Sequence, residues 1–156
     1  MATEFEGMTD EQIIEQLLGK SEPPKGYYRI KRPGYGYSLE IDMQGLTGAK
    51  VGKLREQCTI KEKKRGRVAT EFDEEKFNCL LISEATIGLR MVIGDEENPR
   101  VIELKGWGDE KLMVKGKLSG PDQVVKRSLW AGELDALGNK VLDLSGYNIE
   151  LEDVKN

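Results

Sequence analysis

The chain has 156 residues, of which 38% are apolar or aromatic and 33% are charged, with a mean hydropathy of −0.53. This composition is typical of one charge-rich globular domain, long enough to bury roughly two-thirds of its unfolded surface. The net charge of −4 disfavours nucleic acid and anionic membrane as partners of the whole surface, and the sequence lacks both an apolar run of membrane-spanning length and a basic, apolar signal peptide.

The N-terminal segment is predicted to form a short amphipathic helix followed by a linker. Thr9 and Gln12 have the spacing of a capping box, in which each residue satisfies a backbone donor of the other. One helical face then carries an apolar stripe, formed by Ile13, Ile14, Leu17 and Leu18. Gly19 is the expected stop, and the two prolines of KSEPPKG predict a linker. Residues 1–25 are therefore expected to be a helix and linker preceding the body of the domain.

An antiparallel hairpin is predicted next. From Tyr35 to Met43 apolar and polar residues alternate, which indicates a strand with one solvent-exposed face. The preceding YYRIK is a second strand candidate, and RPG between them supplies the residues of a tight turn.

A helix and a basic segment follow the hairpin. Thr47 is the expected N-cap of a helix that places Val51, Leu54 and Cys58 on one face. The sequence KEKKRGR, residues 61–67, carries six charges of which five are positive. We expect a solvated loop there, with contact to nucleic acid or to an acidic protein surface as the alternatives.

A second helix is predicted over residues 73–86. Phe72 can pack against Phe77 across the first turn, and acidic residues at the start complement the helix dipole. Residues 89–104 contain two short apolar runs around GDEENP, which fit either a second hairpin or a loop that pairs only in part.

The C-terminal third is predicted to contain short helices. EKLMVK is one, and SGPDQVV begins another with Pro121 at its first position. Residues 128–147 then repeat apolar residues at helical spacing, namely Leu129, Trp130, Leu134, Leu137, Val141 and Leu144. Ser145 and Gly146 are the expected stop, and residues 148–156 form a charged tail. The order of elements predicts a single α+β domain over residues 1–156, with an N-terminal β-hairpin region and a cluster of short amphipathic helices.

The sequence offers few residues for catalysis. It contains no histidine, which excludes Ser-His and Cys-His nucleophilic catalysis and removes the commonest zinc ligand. GLTGAKVGK lacks the spacing of a phosphate-binding loop, and GYG leads into a strand rather than the helix a dinucleotide site needs. Cys58 and Cys79 are expected to be reduced core residues. We expect no cofactor and no metal, although two facing carboxylates among 28 acids could still form a hydrolase site.

The two tryptophans, Trp107 and Trp130, lie close to apolar stripes that glycines interrupt. Such residues are usually partly buried, but short broken stripes can also repack against another chain. The candidate partner-binding residues are Trp107, Leu112, Val125, Leu129, Trp130, Leu134 and Leu137.

Several blocks of the sequence resemble the XkdN-like tail-assembly chaperones of contractile-tailed phages and defective prophages. These blocks are TEFDEEKFNCLLISEAT, GWGDEKL, GPDQVVKRSLWAGELDALGNKVLDLSGY and the closing EDVKN, and the part from LWAGELDAL to LSGY is the most specific. The chain departs from the family pattern at Trp130 and Ala131, where Leu and Pro are expected, and over residues 88–105, which match no family pattern.

The resemblance implies a non-enzymatic protein in the cytoplasm of the bacterial host. Its expected partner is the tape-measure protein, which it would keep soluble until tube subunits polymerise; the tail tube protein and a second copy of the chain are further candidates. Trp130, Leu134 and Leu137 are the favoured contacts. The alternative is a structural tail or connector subunit that stays in the particle.

Overall fold

The computed structural model describes residues 6–20, 22–94, 97–148, 151 and 154. These residues form an α+β domain with six α-helices and six strands. The helices are α1 (Asp10–Glu15), α2 (Gly48–Gln57), α3 (Glu74–Ala85), α4 (Glu110–Gly116), α5 (Pro121–Ser128) and α6 (Ala131–Leu144). The strands are β1 (Lys25–Arg32), β2 (Tyr37–Gln44), β3 (Thr59–Lys64), β4 (Arg67–Phe72), β5 (Thr86–Ile93) and β6 (Arg100–Leu104). The α+β fold class is thereby confirmed.

The main sheet has four antiparallel strands in the order β1-β2-β5-β6. Residues 89–104 therefore form most of a second hairpin rather than a loop that pairs only in part. Residues 95 and 96 of its loop lie outside the described part. The predicted strand at Tyr35 begins two residues later, because Tyr35 and Gly36 belong to the turn and Gly36 has a φ of +79°.

Alternation along β2 orients the sheet. Leu39, Ile41 and Met43 are buried on the inner face, as their period of two predicts. Helix α3 packs against both α5 and α6, and α6 also packs on β1 and β2. Their inward residues share one apolar core with the sheet.

Most predicted helix starts are confirmed. The Thr9 hydroxyl accepts from Gln12 N at 3.2 Å, and the Gln12 side chain accepts from Thr9 N at 2.9 Å. Thr47 caps α2 and Asp73 caps α3, and the rings of Phe72 and Phe77 lie 5.3 Å apart. These contacts form because each joins residues only three to five positions apart.

The predicted stop at Gly19 was wrong, because a π-helical turn over Gln16–Lys20 continues α1 through this residue. The side chains before it, over residues 10–18, are all exposed, so no packing fixes an earlier end. The following prolines, which disfavour helical backbone in the residue before them, limit the helix instead.

The predicted loop over residues 61–67 was also wrong. This segment belongs to a two-stranded antiparallel ribbon, β3–β4, whose turn places Arg65 and Gly66 at φ values of +51° and +77°. Its described side chains are solvent-exposed from residue 60 onwards, as expected. The charged residues occupy both faces of the ribbon, which removes the apolar alternation that would have predicted strands.

Candidate partner-binding surface

The candidate residues divide into buried side chains and one exposed side chain. Trp107 is 3% exposed, and its Nε1 donates to Thr86 Oγ1 at 2.9 Å. Leu112 is half-buried and packs on the core. The candidates in α5, in α6 and between these helices are all buried, namely Val125, Leu129, Leu134 and Leu137. Trp130 is 52% exposed, so in this fold it is the candidate that offers most of its side chain to a partner.

The chain geometry between α5 and α6 explains why Trp130 is exposed. Leu129 and Trp130 both have extended backbone, with φ/ψ of −107°/143° and −77°/160°. Successive side chains on extended backbone point to opposite sides, so Leu129 enters the core and Trp130 faces outward. The two residues therefore do not continue the buried face of α6, which is formed by Leu134, Leu137 and Val141.

The guanidinium of Arg32, at the end of β1, lies against one face of the Trp130 indole. Its guanidinium carbon lies 4.7 Å from the Trp130 ring centroid, a cation–π geometry. The guanidinium is buried and donates to the Tyr37 hydroxyl at 2.6 Å, to the Ser128 carbonyl at 2.6 Å and to Glu133 Oε1 at 2.7 Å. Burial acts to lower the pKa of Arg32, but the bonds to Glu133 and Tyr37 outweigh it and the pKa is raised. Arg32 therefore remains charged inside the protein.

Glu133 completes the support. Its Oε1 also accepts from Trp130 N at 2.8 Å and so satisfies a free backbone donor at the start of α6. The Glu133 carboxylate thus binds both the buried guanidinium of Arg32 and the backbone N–H of Trp130, the residue whose ring that guanidinium contacts. Sequence reasoning missed Arg32 and Glu133 as site residues; the Gly-Glu pair in LWAGELDAL was the available signal for Glu133.

Tyr35 joins Trp130 at the surface. It lies in the β1–β2 turn, is 65% exposed and meets the Trp130 ring edge-on at 5.9 Å between centroids. We call Tyr35 and Trp130 the aromatic patch. Exposed aromatic side chains above a buried arginine resemble the residues that dominate binding energy in many protein interfaces.

A surface groove has Ala131, the residue after Trp130, in its lining. It has a volume of about 790 Å³ and runs between α3 and α6. Phe77 and Leu134 contribute apolar surface, whereas Glu74 and Asp135 contribute acidic groups. We call this the α3–α6 groove. Its composition suits an amphipathic helix with basic flanks, the kind of segment that binds in such grooves.

The outer face of the main sheet is charged. Glu40 lies between Arg29, at 2.6 Å, and Arg90, at 2.8 Å, and Arg90 also contacts Asp42 at 3.0 Å. The hydrogen bonds from Arg29 and Arg90 lower the pKa of Glu40. A general acid in a hydrolase needs a raised pKa, whereas the pKa of Glu40 is lowered. Glu40 and Asp42 therefore form an ion-pair network with Arg29 and Arg90.

The described residues contain no group of three or more His, Cys, Asp or Glu side chains arranged to hold a metal ion. Among the helices of the described part, none is both long and apolar enough to span a bilayer.

Comparison with known proteins gives one family. A family model described as "Phage XkdN-like tail assembly chaperone protein, TAC" matches residues 14–156, a range that includes the aromatic patch and the α3–α6 groove. No curated protein and no solved structure matches the chain. The matched range covers nearly the whole sequence, and the chain belongs to the XkdN-like family of phage tail assembly chaperones.

Proposed function

We propose that this tail assembly chaperone binds the tape-measure protein in the cytoplasm of the bacterial host and keeps it soluble while the tail tube assembles. The family match supports a role in tail assembly. The proposed contact is a helix of the tape-measure protein that lies in the α3–α6 groove and packs against Trp130 at its end. The tail tube protein is a further candidate partner, and no covalent chemistry is involved.

The observation that carries this proposal is the supported exposure of the aromatic patch. A half-exposed tryptophan leaves apolar surface in contact with water. Here Arg32 contacts the ring and Glu133 binds the backbone N–H, so the ring and the backbone are held in a fixed position. Fixing the ring before binding reduces the conformational entropy that binding would otherwise cost. The patch is therefore suited to receive an apolar partner.

The other candidate residues have a supporting part in this proposal. Leu134 lies in the wall of the α3–α6 groove, and Leu137 is buried one turn further along α6. Replacing Leu134 by Asp would bury an unpaired charge and unfold the domain, so this substitution cannot test binding. Substitutions in the exposed patch avoid that problem.

The test is co-expression of the chaperone with the tape-measure protein. The double variant Tyr35→Ala, Trp130→Ala should reduce co-purification about tenfold or more and move the tape-measure chain into the insoluble fraction, because hot-spot aromatics contribute about 2 kcal/mol or more. The matched control is Tyr27→Ala, which removes an exposed aromatic ring from the outer face of the sheet. Both variants should keep the circular dichroism spectrum of the wild type.

Unchanged co-purification by the double variant would contradict the proposed contact. Mass spectrometry of purified tails separates the chaperone from a structural tail subunit. We expect the protein to be absent from the tails, and stoichiometric incorporation would contradict the proposed function.

A further inference from the structure

The N-terminal helical segment, Asp10 to Lys20, leaves its apolar stripe uncovered. Leu17 and Leu18 are 84% and 75% exposed, and Ile13 and Ile14 are exposed on the same stripe. The segment makes no extensive contact with another described helix or strand. Four adjacent apolar side chains on one exposed stripe indicate an interaction surface.

The β3–β4 ribbon has one face that suits this stripe. Residues paired across an antiparallel ribbon lie on the same face. One face therefore contains the pairs Thr59/Phe72, Lys61/Thr70 and Lys63/Val68. We call this the basic face of the ribbon. The two acids of the ribbon, Glu62 and Glu71, lie on the opposite face, so the basic face carries two lysines, the exposed Val68 and Phe72, and no acid.

The helix and the ribbon have opposite charges. Residues 6–20 contain four carboxylates and one lysine, a net charge of −3, whereas residues 59–72 contain five basic and two acidic residues, a net charge of +3. The dimensions also match, because an 11-residue helix is about 16 Å long and a six-residue strand about 20 Å. The helix can thus place its apolar stripe on Val68 and Phe72 while its acidic flanks meet Lys61 and Lys63.

The described N-terminal helix does not lie on the ribbon of its own chain, since it makes no extensive contact with β3 or β4. The Pro23 carbonyl accepts from Gln44 Nε2 at 3.1 Å, and the Pro24 carbonyl accepts from Gly45 N at 3.0 Å. These bonds and the fixed φ of proline hold the linker against β2, so the helix leaves the body from an anchored point. In the part of the chain that the structure describes, the helix stripe is exposed and the basic face is covered only in part, where Phe72 packs on Phe77.

We propose that two copies of this chain exchange their N-terminal helices, each helix lying on the basic face of the other copy's ribbon. The exchange is reciprocal, so both helices and both ribbons are covered in a closed dimer. Two identical contacts also double the buried area, which brings it toward the roughly 1,000 Å² that a stable interface needs. This dimer does not involve the aromatic patch, Tyr35 and Trp130, although Phe72 of the basic face also lines the α3–α6 groove.

A charge exchange tests the proposal with purified full-length protein and no tape-measure chain. Variant one is Lys61→Glu, Lys63→Glu, and variant two is Asp10→Lys, Glu11→Lys. All of these side chains are exposed, so both variants should keep their circular dichroism spectra. Light scattering after size exclusion, over a concentration series, should show a dimer for the wild type and a monomer for each variant alone. An equimolar mixture should form a heterodimer, because each helix then meets a ribbon of opposite charge.

Three controls make the result specific. The variant Lys53→Glu, Lys115→Glu has the same change in charge as variant one, at exposed lysines outside the ribbon, and should remain dimeric. The variant Leu17→Asp, Leu18→Asp should be monomeric at all concentrations. Added salt should raise the dissociation constant of the wild-type dimer, because the exposed charges are screened.

Several outcomes would overturn the proposal. These are a monomeric wild type over the whole concentration range, variants one and two that stay dimeric, or a mixture that fails to associate. A monomeric wild type whose Leu17→Asp, Leu18→Asp variant loses co-purification with the tape-measure protein would assign the stripe to that partner instead. Failure of the Tyr35→Ala, Trp130→Ala experiment would leave this dimer unaffected, so the two proposals fail separately.

Discussion

The residue on which the candidate surface depends most is Glu133. It is the anionic partner of the buried Arg32 and the acceptor for the first backbone donor of α6. Removing one member of a buried ion pair leaves the other charge without a partner in a medium of low polarity. The aromatic patch therefore depends on a carboxylate whose side chain is only 15% exposed.

We predict that Glu133→Ala lowers the free energy of unfolding by about 3 kcal/mol. The loss combines the unpaired Arg32 charge with a missing helix cap, and urea denaturation followed by tryptophan fluorescence measures it. Glu84→Ala is the control, because Glu84 forms an exposed ion pair with Lys50 at 3.3 Å. Its expected cost is below about 1 kcal/mol. Equal losses in the two variants would show that the Arg32 pair contributes no more than a surface pair.

At the scale of elements, the end of β2 is joined closely to the end of α6. Leu46 N donates to Ser145 Oγ at 2.8 Å, and Gly45 is buried against the backbone of Leu144. A Cβ atom on residue 45 would overlap the Leu144 carbonyl group. Backbone atoms cannot rotate away as a flexible side chain can, so the two elements would have to separate.

We predict that Gly45→Ala destabilises the domain by about 2 to 3 kcal/mol, the usual cost of forcing extra volume into a packed site. The matched substitution is Gly132→Ala, in the first turn of α6, where an added Cβ meets no atom within 4 Å. It should stabilise the protein by about 0.5 kcal/mol through helix propensity. Thermal unfolding of the two variants should therefore shift in opposite directions. A gain for Gly45→Ala would mean that the β2–α6 junction is less closely packed than described.

The ion-pair network of the outer sheet face predicts a pH dependence. The pKa of Glu40 is lowered in the folded state by its bonds to Arg29 and Arg90. A group whose pKa is lowered on folding stabilises the protein above its unfolded pKa, here about 4.5, and the stabilisation is lost as pH falls through the folded value.

Glu40→Gln should accordingly reduce stability by about 1 kcal/mol at neutral pH and by progressively less below about pH 4.5. Urea denaturation at a series of pH values measures the difference from the wild type. Glu56→Gln, which removes an exposed carboxylate of α2 outside this network, is the control. A difference for Glu40→Gln that stays constant into acid would contradict the assigned role of the network.

At the scale of the whole molecule, the single core encloses both cysteines. Cys58 and Cys79 are free thiols at 1% and 2% exposure. Burial raises the pKa of Cys79 to about 11 from a usual value of 9.0. Burial also raises the pKa of Cys58. Because the thiolate is the reactive form, both exclusion of reagent and loss of thiolate protect these residues.

We predict that neither cysteine reacts with a thiol reagent at pH 8 in the native protein, whereas both react in denaturing guanidinium chloride. The labelling rate under native conditions should follow global unfolding, since the two thiols lie in the core of one cooperative unit. Glu133→Ala should accelerate labelling in proportion to its loss of stability. Rapid labelling of the native wild type would show local opening of the core, at the end of α2 if Cys58 reacts and around α3 if Cys79 reacts.

The family assignment also belongs to the whole molecule. Three of the four sequence blocks that carried the resemblance contain α3, the start of α4, and α5 with α6, whereas the fourth, EDVKN, lies outside the described residues except for Val154. The family model covers these blocks and also residues 88–105, which the recognised motifs did not reach. Those residues form parts of β5 and β6, whose apolar positions can vary as long as they alternate.

The sequence by itself determined the features that depend on near neighbours. The caps at Thr9, Thr47 and Asp73 join residues three apart. The alternation along β2 likewise shows, from neighbouring residues alone, which face of the strand is buried. Sequence reasoning failed at the β3–β4 ribbon, because charges on both faces leave no apolar period.

Tertiary structure alone decided which apolar residues are covered. Trp130 and Leu134 belong to the same apolar repeat, yet the extended backbone before α6 exposes the first and the helix buries the second. Arg32 and Glu133 are separated by 101 positions, and neither residue type by itself predicts a buried ion pair. Such contacts depend on how two distant segments meet, and therefore on the packing of the sheet against α6 rather than on any local pattern.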